Sequence, residues 1–357
     1  MLAPNTNALT SQVTSDYRVN NYLMAWAHTL LNTTIFPLNP KPEWFDRVAT
    51  ELTTTKTKTG DWLNKDFPDI AATLPQTLIN YANLFASAAD ELVPLVAGKN
   101  PTGNDRETVA ELLEALHADA VQHQFRVRGL QNKVIDFAKL AQESSRKMAD
   151  HTKEVKKTIG AADKELLALQ GRIAELQQRL GITTTEAKHS MTGAAMTGAS
   201  ITMTMLAFTV GAAAFPIVGL AGAIIGIGIN AAKQAAESKE VLALVREIGE
   251  LRVKLSGQQF QMAALETIAA SFENLSDVCV EALTSMEGTV HHWDDIVNNL
   301  AAAQELVTQP GVDLSQIHAF KELPAAATSW TTIADRARKI QGSVMKVADT
   351  IVIGSAA

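Results

Sequence analysis

Apolar residues recur at steps of three and four along most of this chain, the period of a helix that buries one face. Val13, Tyr17, Leu23, Leu30 and Leu31 place a first helix over residues 7–35. Pro37, Pro40 and Pro42 end it, because proline has no N–H to donate. A short helix is expected around Glu43–Lys56, with its Thr/Lys run, Thr53–Thr59, in solvent. Pro68 and Pro75 lead into a second helix over 76–97, closed by Gly98, Pro101 and Gly103. From Asp105 to Lys188 there is no proline, and the rhythm Val127, Leu130, Val134, Phe137, Ala141 returns as Val155, Ile159, Ala162, Leu166, Leu169, Ile173, Leu176, Leu180. That is a heptad seam, and at 1.5 Å per residue it predicts a helix of about 120 Å, bent where Gly129, Gly160 and Gly171 fall. A second seam runs over 233–307, from Val241 through Ile248, Leu265, Phe272, Cys279 and Trp293 to Leu300. A last helix is expected over 325–353, with Trp330, Ile333, Ala337, Ile340, Val344 and Val347 on one face. The fold class read from this pattern is all-α: an elongated antiparallel helical bundle.

The seams are separated by a different kind of sequence. Between Lys188 and Lys233 lie 44 residues without Asp, Glu, Lys or Arg, and Ile201–Ile229 is nearly unbroken apolar sequence. An apolar run above about 18 residues is the usual mark of a membrane span. Crossing once would put the two amphipathic helices on opposite sides of a bilayer, each with an uncovered stripe. Turning back lays them antiparallel, so that each covers the other. Pro216 sits near the middle and suits the first turn of a returning helix. The arms are then 194–215, long enough for a core of about 30 Å, and 217–232, slightly short. The candidate membrane-inserting residues are Ile201, Met203, Met205, Leu206, Phe208, Val210, Phe215, Pro216, Ile217, Val218, Leu220, Ile224, Ile225, Ile227 and Ile229. Gly219, Gly222 and Gly226 let the arms approach closely in lipid. Exposing both arms to water would cost on the order of tens of kcal/mol, so a soluble form must pack them away. Within Ile201–Val210, Thr partly alternates with larger apolar residues. That pattern allows a β-tongue in the soluble state that later becomes helical. The organisation expected is a tail bundle over 1–188 and 233–357 with a hydrophobic head over 189–232.

Composition narrows the function. The 357 residues carry a net charge of −7, which argues against a nucleic-acid partner. The lone Cys279 allows no internal disulfide, and the N-terminal sequence shows no basic region followed by an apolar one, so no secretory signal is visible.

Two long helices flanking an apolar head, with further helices before and after, resemble the cytolysin A (ClyA) superfamily of α-helical pore-forming toxins, with its Hbl, Nhe, Ahl, Smh and Mak members. The resemblance covers the whole chain in layout. Its local motifs are INYANLF at Ile79–Phe85 and WTTIADRARKIQ at Trp330–Gln341. It implies a soluble, secreted monomer whose head detaches at a target-cell lipid membrane and inserts. The chains would then form a homo- or hetero-oligomeric pore, with homologous components of a bi- or tripartite system as partners. A head this poor in polar residues resembles the hydrophobic component of such a system. The alternatives are a type III-like translocator, a resident membrane protein, or a coiled-coil scaffold whose apolar hairpin is core.

Enzymatic chemistry is not expected, nor a metal or cofactor. In HHWDD (His291–Asp295) the adjacent histidines point to different sides of a helix, and no HExxH or CxxC is present. His117 and His123 share a helical face poorly. Cys279 lies in the apolar seam and reads as a packed thiol. GIGINA at Gly226–Ala231 has no strand–helix unit around it.

Overall fold

The computed structural model describes residues 2–33, 41, 43–97, 102–159, 164–179, 196–197, 201–209, 216–217, 223–225, 238–254, 257–343, 345–347 and 351–354. The tail is a helical bundle, as the periodicity predicts. Its elements are α1 (Thr6–Asn32), α2 (Phe45–Lys65), α3 (Phe67–Ala97), α4 (Gly103–Ile159) and α5 (Lys164–Arg179), then α6 (Lys239–Lys254), α7 (Gly257–Thr308), the single turn α8 (His318–Lys321) and α9 (Leu323–Gly342). Asn5 starts α1 by accepting the Ala8 N–H on its side chain.

The two seams face each other in α4 and α7, which form the most extensive helix contact among the described residues. Val127, Leu130, Val134, Phe137 and Ala141 of α4 are buried, as are Leu265, Phe272, Cys279, Trp293 and Leu300 of α7. Polar contacts fix the antiparallel register. Arg106 caps the end of α7 by donating to the carbonyls of Val307 (3.1 Å) and Val312. Further along, Arg128 meets Asp294 at 2.9 Å, and Lys156 pairs with Glu266. Arg172 of α5 meets Glu247 of α6 at 2.8 Å and continues the same pairing toward the head.

The two motifs behind the resemblance meet in the core. Tyr81 and Phe85 of α3 pack on Trp330 of α9, with ring centroids 4.7 and 6.0 Å away. Trp293 of α7 lies edge-on to Tyr81 at 5.4 Å, and His123 of α4 lies 5.1 Å from Trp293. Burial holds His123 below the ordinary histidine range, although Asp119 pulls the other way.

Three expectations are corrected. First, α3 begins at Phe67 rather than near 76, with Pro75 and Pro94 inside it. Pro68 occupies the first turn, where an N–H has no partner within the helix. Pro75 costs about 3 kcal/mol in a helix interior. The burial of Ile70, Leu74, Leu78, Tyr81 and Phe85 outweighs it. Second, the Thr/Lys run is not all solvated. Thr55 and Thr59, one turn apart, are buried, and the Thr55 hydroxyl lies 2.9 Å from that of Ser144 on α4. Third, the last helix stops at Gly342. The chain beyond it forms strands, β4 (Met345–Val347) and β5 (Ile351–Gly354), where a helix over 325–353 was expected. Val344, Val347, Ile351, Val352 and Ile353 supply the β-branched side chains that favour extended backbone.

Candidate membrane-inserting head

The head takes the β alternative. Ile201–Thr209 is a nine-residue strand, β1, followed by β2 (Pro216–Ile217) and β3 (Ala223–Ile225) on the returning limb. Both are antiparallel to β1, pairing Phe208 with Ile217, Thr209 with Pro216, and Met203, Thr204 and Met205 with Ile225, Ile224 and Ala223. From Met205 to Phe208 the outgoing limb advances three residues, while the return from Ile217 to Ala223 takes six. The ladder therefore does not keep one register.

The C-terminal strands pair with β1 in parallel. Ile201, Thr202 and Met203 partner Met345, Lys346 and Val347, and Leu206 through Thr209 partner Ile351 through Gly354. The 144-residue offset at Ile201↔Met345 becomes 145 at Leu206↔Ile351, a one-residue slip between β4 and β5. An unpaired strand edge is a template for non-native pairing, and every residue of β1 is paired by the returning limb, by the C-terminal strands or by both. Lys346 is the one charged residue of the described strands.

Of the candidate inserting residues, Ile201, Met203, Met205, Leu206 and Phe208 lie in β1, Pro216 and Ile217 in β2, and Ile224 and Ile225 in β3. Val210, Phe215, Val218, Leu220, Ile227, Ile229, Gly219, Gly222 and Gly226 lie outside the described residues. Among the described residues no helix is long and apolar enough to cross a membrane.

The tail meets the head through α1, which contacts β3. The Tyr17 hydroxyl of α1 donates to the Ser343 carbonyl at 3.2 Å, two residues before β4. Sequence reasoning placed Tyr17 on an apolar stripe and did not see this anchor. It also passed over Asp16. The Asp16 carboxylate accepts from Gln12 (3.0 Å), Ser285 (2.6 Å) and Thr289, and so ties α1 to α7. Burial pushes this carboxyl up to about 6, against the pull of the three hydrogen bonds. A polar side chain one turn after Gln12 on the face between Val13 and Tyr17 was the available signal.

The other candidates for chemistry are dispersed. His291 is exposed and 3.7 Å from Asp295. Asp294 accepts from Gln124 and Arg128 of α4 at 2.6 and 2.9 Å. Burial pushes the Cys279 thiol up to about 12. Among the described residues no group of three or more His, Cys, Asp or Glu gathers at metal-binding distance.

A tail of long antiparallel amphipathic helices carrying an uncharged head segment has the architecture of an α-pore-forming toxin subunit. The chain has the component fold of the Hbl, Smh, Ahl and Mak toxins, as the sequence resemblance implies. The profile of the Bacillus haemolytic enterotoxin (HBL) family matches residues 21–181, from within α1 to just past α5. Motility Associated Killing Factor B from Vibrio cholerae superposes with a TM-score of 0.81 at 17% identity, covering 99% of this chain and 97% of that one. AhlB of the tripartite α-pore-forming toxin AHL from Aeromonas hydrophila gives 0.72 at 14% identity, with 96% and 95% covered. The HblL1 toxin component of Bacillus cereus gives 0.66 at 18% identity, with 96% and 97% covered. This likeness is one of fold. No curated protein matches the sequence significantly.

Proposed function

We propose that this chain is the hydrophobic component of a multi-component pore-forming toxin, released water-soluble and inserted into a target-cell membrane through residues 189–232. One observation carries the reading. Within the uncharged 44-residue segment, Ile201–Thr209, Pro216–Ile217 and Ala223–Ile225 are strands, in a sheet that depends on a distant part of the chain. In lipid every backbone N–H and C=O must find a partner within the protein, which leaves helices or closed barrels. An open sheet of this kind satisfies neither, so entry requires the strands to separate and the segment to become helical. As helices, 194–215 and 217–232 would be about 33 and 24 Å long. Gly219, Gly222 and Gly226 would then allow close packing of the two arms.

A hairpin without ionisable groups offers little to a water-filled lumen. Its role is to face lipid, and a related component supplies the polar lining. AhlB is a component of a tripartite toxin, which supports partners of the same fold here. None of these steps calls for a catalytic group, a metal or a cofactor.

The test is dye release from liposomes by the purified chain, alone and with the proteins encoded beside it. Wild type should release dye, and Ile224→Asp or Ile225→Asp should abolish release while far-ultraviolet circular dichroism stays unchanged. A charge within the bilayer costs about 3 kcal/mol or more. Undiminished release by both variants would refute insertion of this arm.

A further inference from the structure

A cavity of about 350 Å³ opens between α1, α3, α7 and α9 in the tail, within the size range of small-molecule sites. Its walls are apolar, formed by Phe67, Ile70, Leu74 and Leu78 of α3 with Met24 of α1. Its mouth lies at the exposed Ala71 and Ala72. Its floor is polar and buried, and two acceptors there are incompletely served. Asn20 donates its amide to the Asp16 carbonyl at 2.8 Å, while its Oδ1 has no partner although the residue is only 6% exposed. Asp16 is equally buried. Its Oδ1 takes two donors, but its Oδ2 takes only the Thr289 hydroxyl.

All three donors to Asp16 are neutral. Among the described residues no Lys, Arg or His lies within ion-pairing distance of it, although Lys or Arg side chains pair with many other acidic groups. A buried carboxylate without a cation is costly, and a buried acceptor without a donor costs about 1–3 kcal/mol. A natural protein keeps such a pair where something else completes it.

We propose that this cavity is a binding site for a primary ammonium group carried on an apolar body. The ammonium brings three donors and a positive charge to the Asp16 and Asn20 oxygens, and the body lies along the α3 wall. An alcohol has one donor and no charge. A quaternary ammonium has the charge and no donor. A carboxylate would place like charge beside Asp16. The site therefore ranks ligands by head group at constant tail.

Isothermal titration of the full chain with decylamine, decanol, decyltrimethylammonium and decanoate at neutral pH, below their micelle concentrations, tests this ranking. Decylamine should bind saturably at one site per chain, and decanoate should give no saturable heat. Asp16→Asn should weaken decylamine at least tenfold, and Ala71→Trp, which plugs the mouth from an exposed position, should abolish it. Thermal melts verify that both variants are folded. Absence of saturable decylamine binding to wild type, decanoate binding as tightly as decylamine, or binding unchanged in both variants would each overturn the proposal. A soluble amine and a membrane sphingoid base share this head group. If phosphatidylcholine vesicles carrying sphingosine compete with decylamine, the site takes the membrane base. If they do not while decylamine still binds, it takes a soluble amine. The titration is read without vesicles, so its outcome is separate from that of pore formation.

Discussion

The Tyr17 hydroxyl and the Ser343 carbonyl join the fourth turn of the first helix to the residue where the chain leaves its last helix, 3.2 Å apart. Ser343 is buried, and β4 begins two residues later. This bond holds the base of the C-terminal strands against the tail. Tyr17→Phe keeps the ring and removes the donor. The expected loss is about 1 kcal/mol of stability, with faster amide exchange over 345–354 and little change in α4 or α7. Hydrogen-exchange mass spectrometry together with urea melts checks it. Unchanged exchange at 345–354 would mean that the bond does not hold the strands.

A covalent tie across the parallel pair tests whether the head must come apart. Thr202 and Lys346 are register partners, and neighbouring strands run about 4.8 Å apart, within the span of a disulfide. Thr202→Cys with Lys346→Cys should form the bond under oxidising conditions, block dye release, and recover release on reduction. Cys279 does not compete, because it is buried and its thiol is pushed up to about 12. Full release with the bond verified by mass spectrometry would show that β1 and β4 need not part.

The buried Asp16 predicts a pH dependence of the tail. Its carboxyl rises from 3.8 to about 6 on folding, so between these values the folded chain holds a proton that the unfolded chain has released. Stability from this group therefore falls as pH rises through that window. The full penalty stands above about 6, on the order of 3 kcal/mol by linkage. Asp16→Asn should stabilise the tail at neutral pH and flatten the curve between pH 4 and 6. Asp69, whose carboxyl is held low by Lys133, has the opposite slope, so the diagnostic quantity is the difference between variant and wild type across a series of melts. A difference that does not change with pH would remove Asp16 as the titrating group.

Gly288 of α7 faces Gln12 of α1. A Cβ there would stand 2.5 Å from the Gln12 amide oxygen, and the Gln12 amide nitrogen donates to the Ser285 carbonyl at 2.6 Å and to Asp16 at 3.0 Å. Gly288→Ala gains about 1 kcal/mol of helix propensity but displaces Gln12. A hydrogen bond to a charged group is worth about 1.5–3 kcal/mol, so the net effect should be a loss of about 1 kcal/mol. Gln12→Ala made together with Gly288→Ala should recover the propensity gain. Additive losses in this double-mutant cycle would show that the two positions are uncoupled.

The tail was legible because burial repeats at the helical period. Val127 to Ala141 and Leu265 to Leu300 read as seams and pack as seams. The β alternative for Ile201–Val210 was legible from its alternating threonines. The C-terminal strands were not, because Ile340, Val344 and Val347 fit a helical stripe as well as they fit an extended run. The partner that decides between these two readings is β1, far upstream in sequence. Thr59 and Pro75 misled for a related reason. Their local preferences are weak next to the core contacts around Trp62 and Leu74, and those contacts appear only when the chain is folded. The Asp16 floor was hidden because a single polar position inside an apolar stripe carries no period of its own.

The 144-residue separation of Ile201 and Met345 also sets an order of events during synthesis. A ribosome finishes β1 and its returning limb long before it reaches the strands that will lie beside them. Parallel pairing over so long a loop is slow to form. In the interval an uncharged, strand-forming segment has an open edge, the condition under which nascent chains associate wrongly. The helices 239–254 and 257–308 are made within that interval, so the strand edge of β1 stays without its parallel partners until the last residues are added.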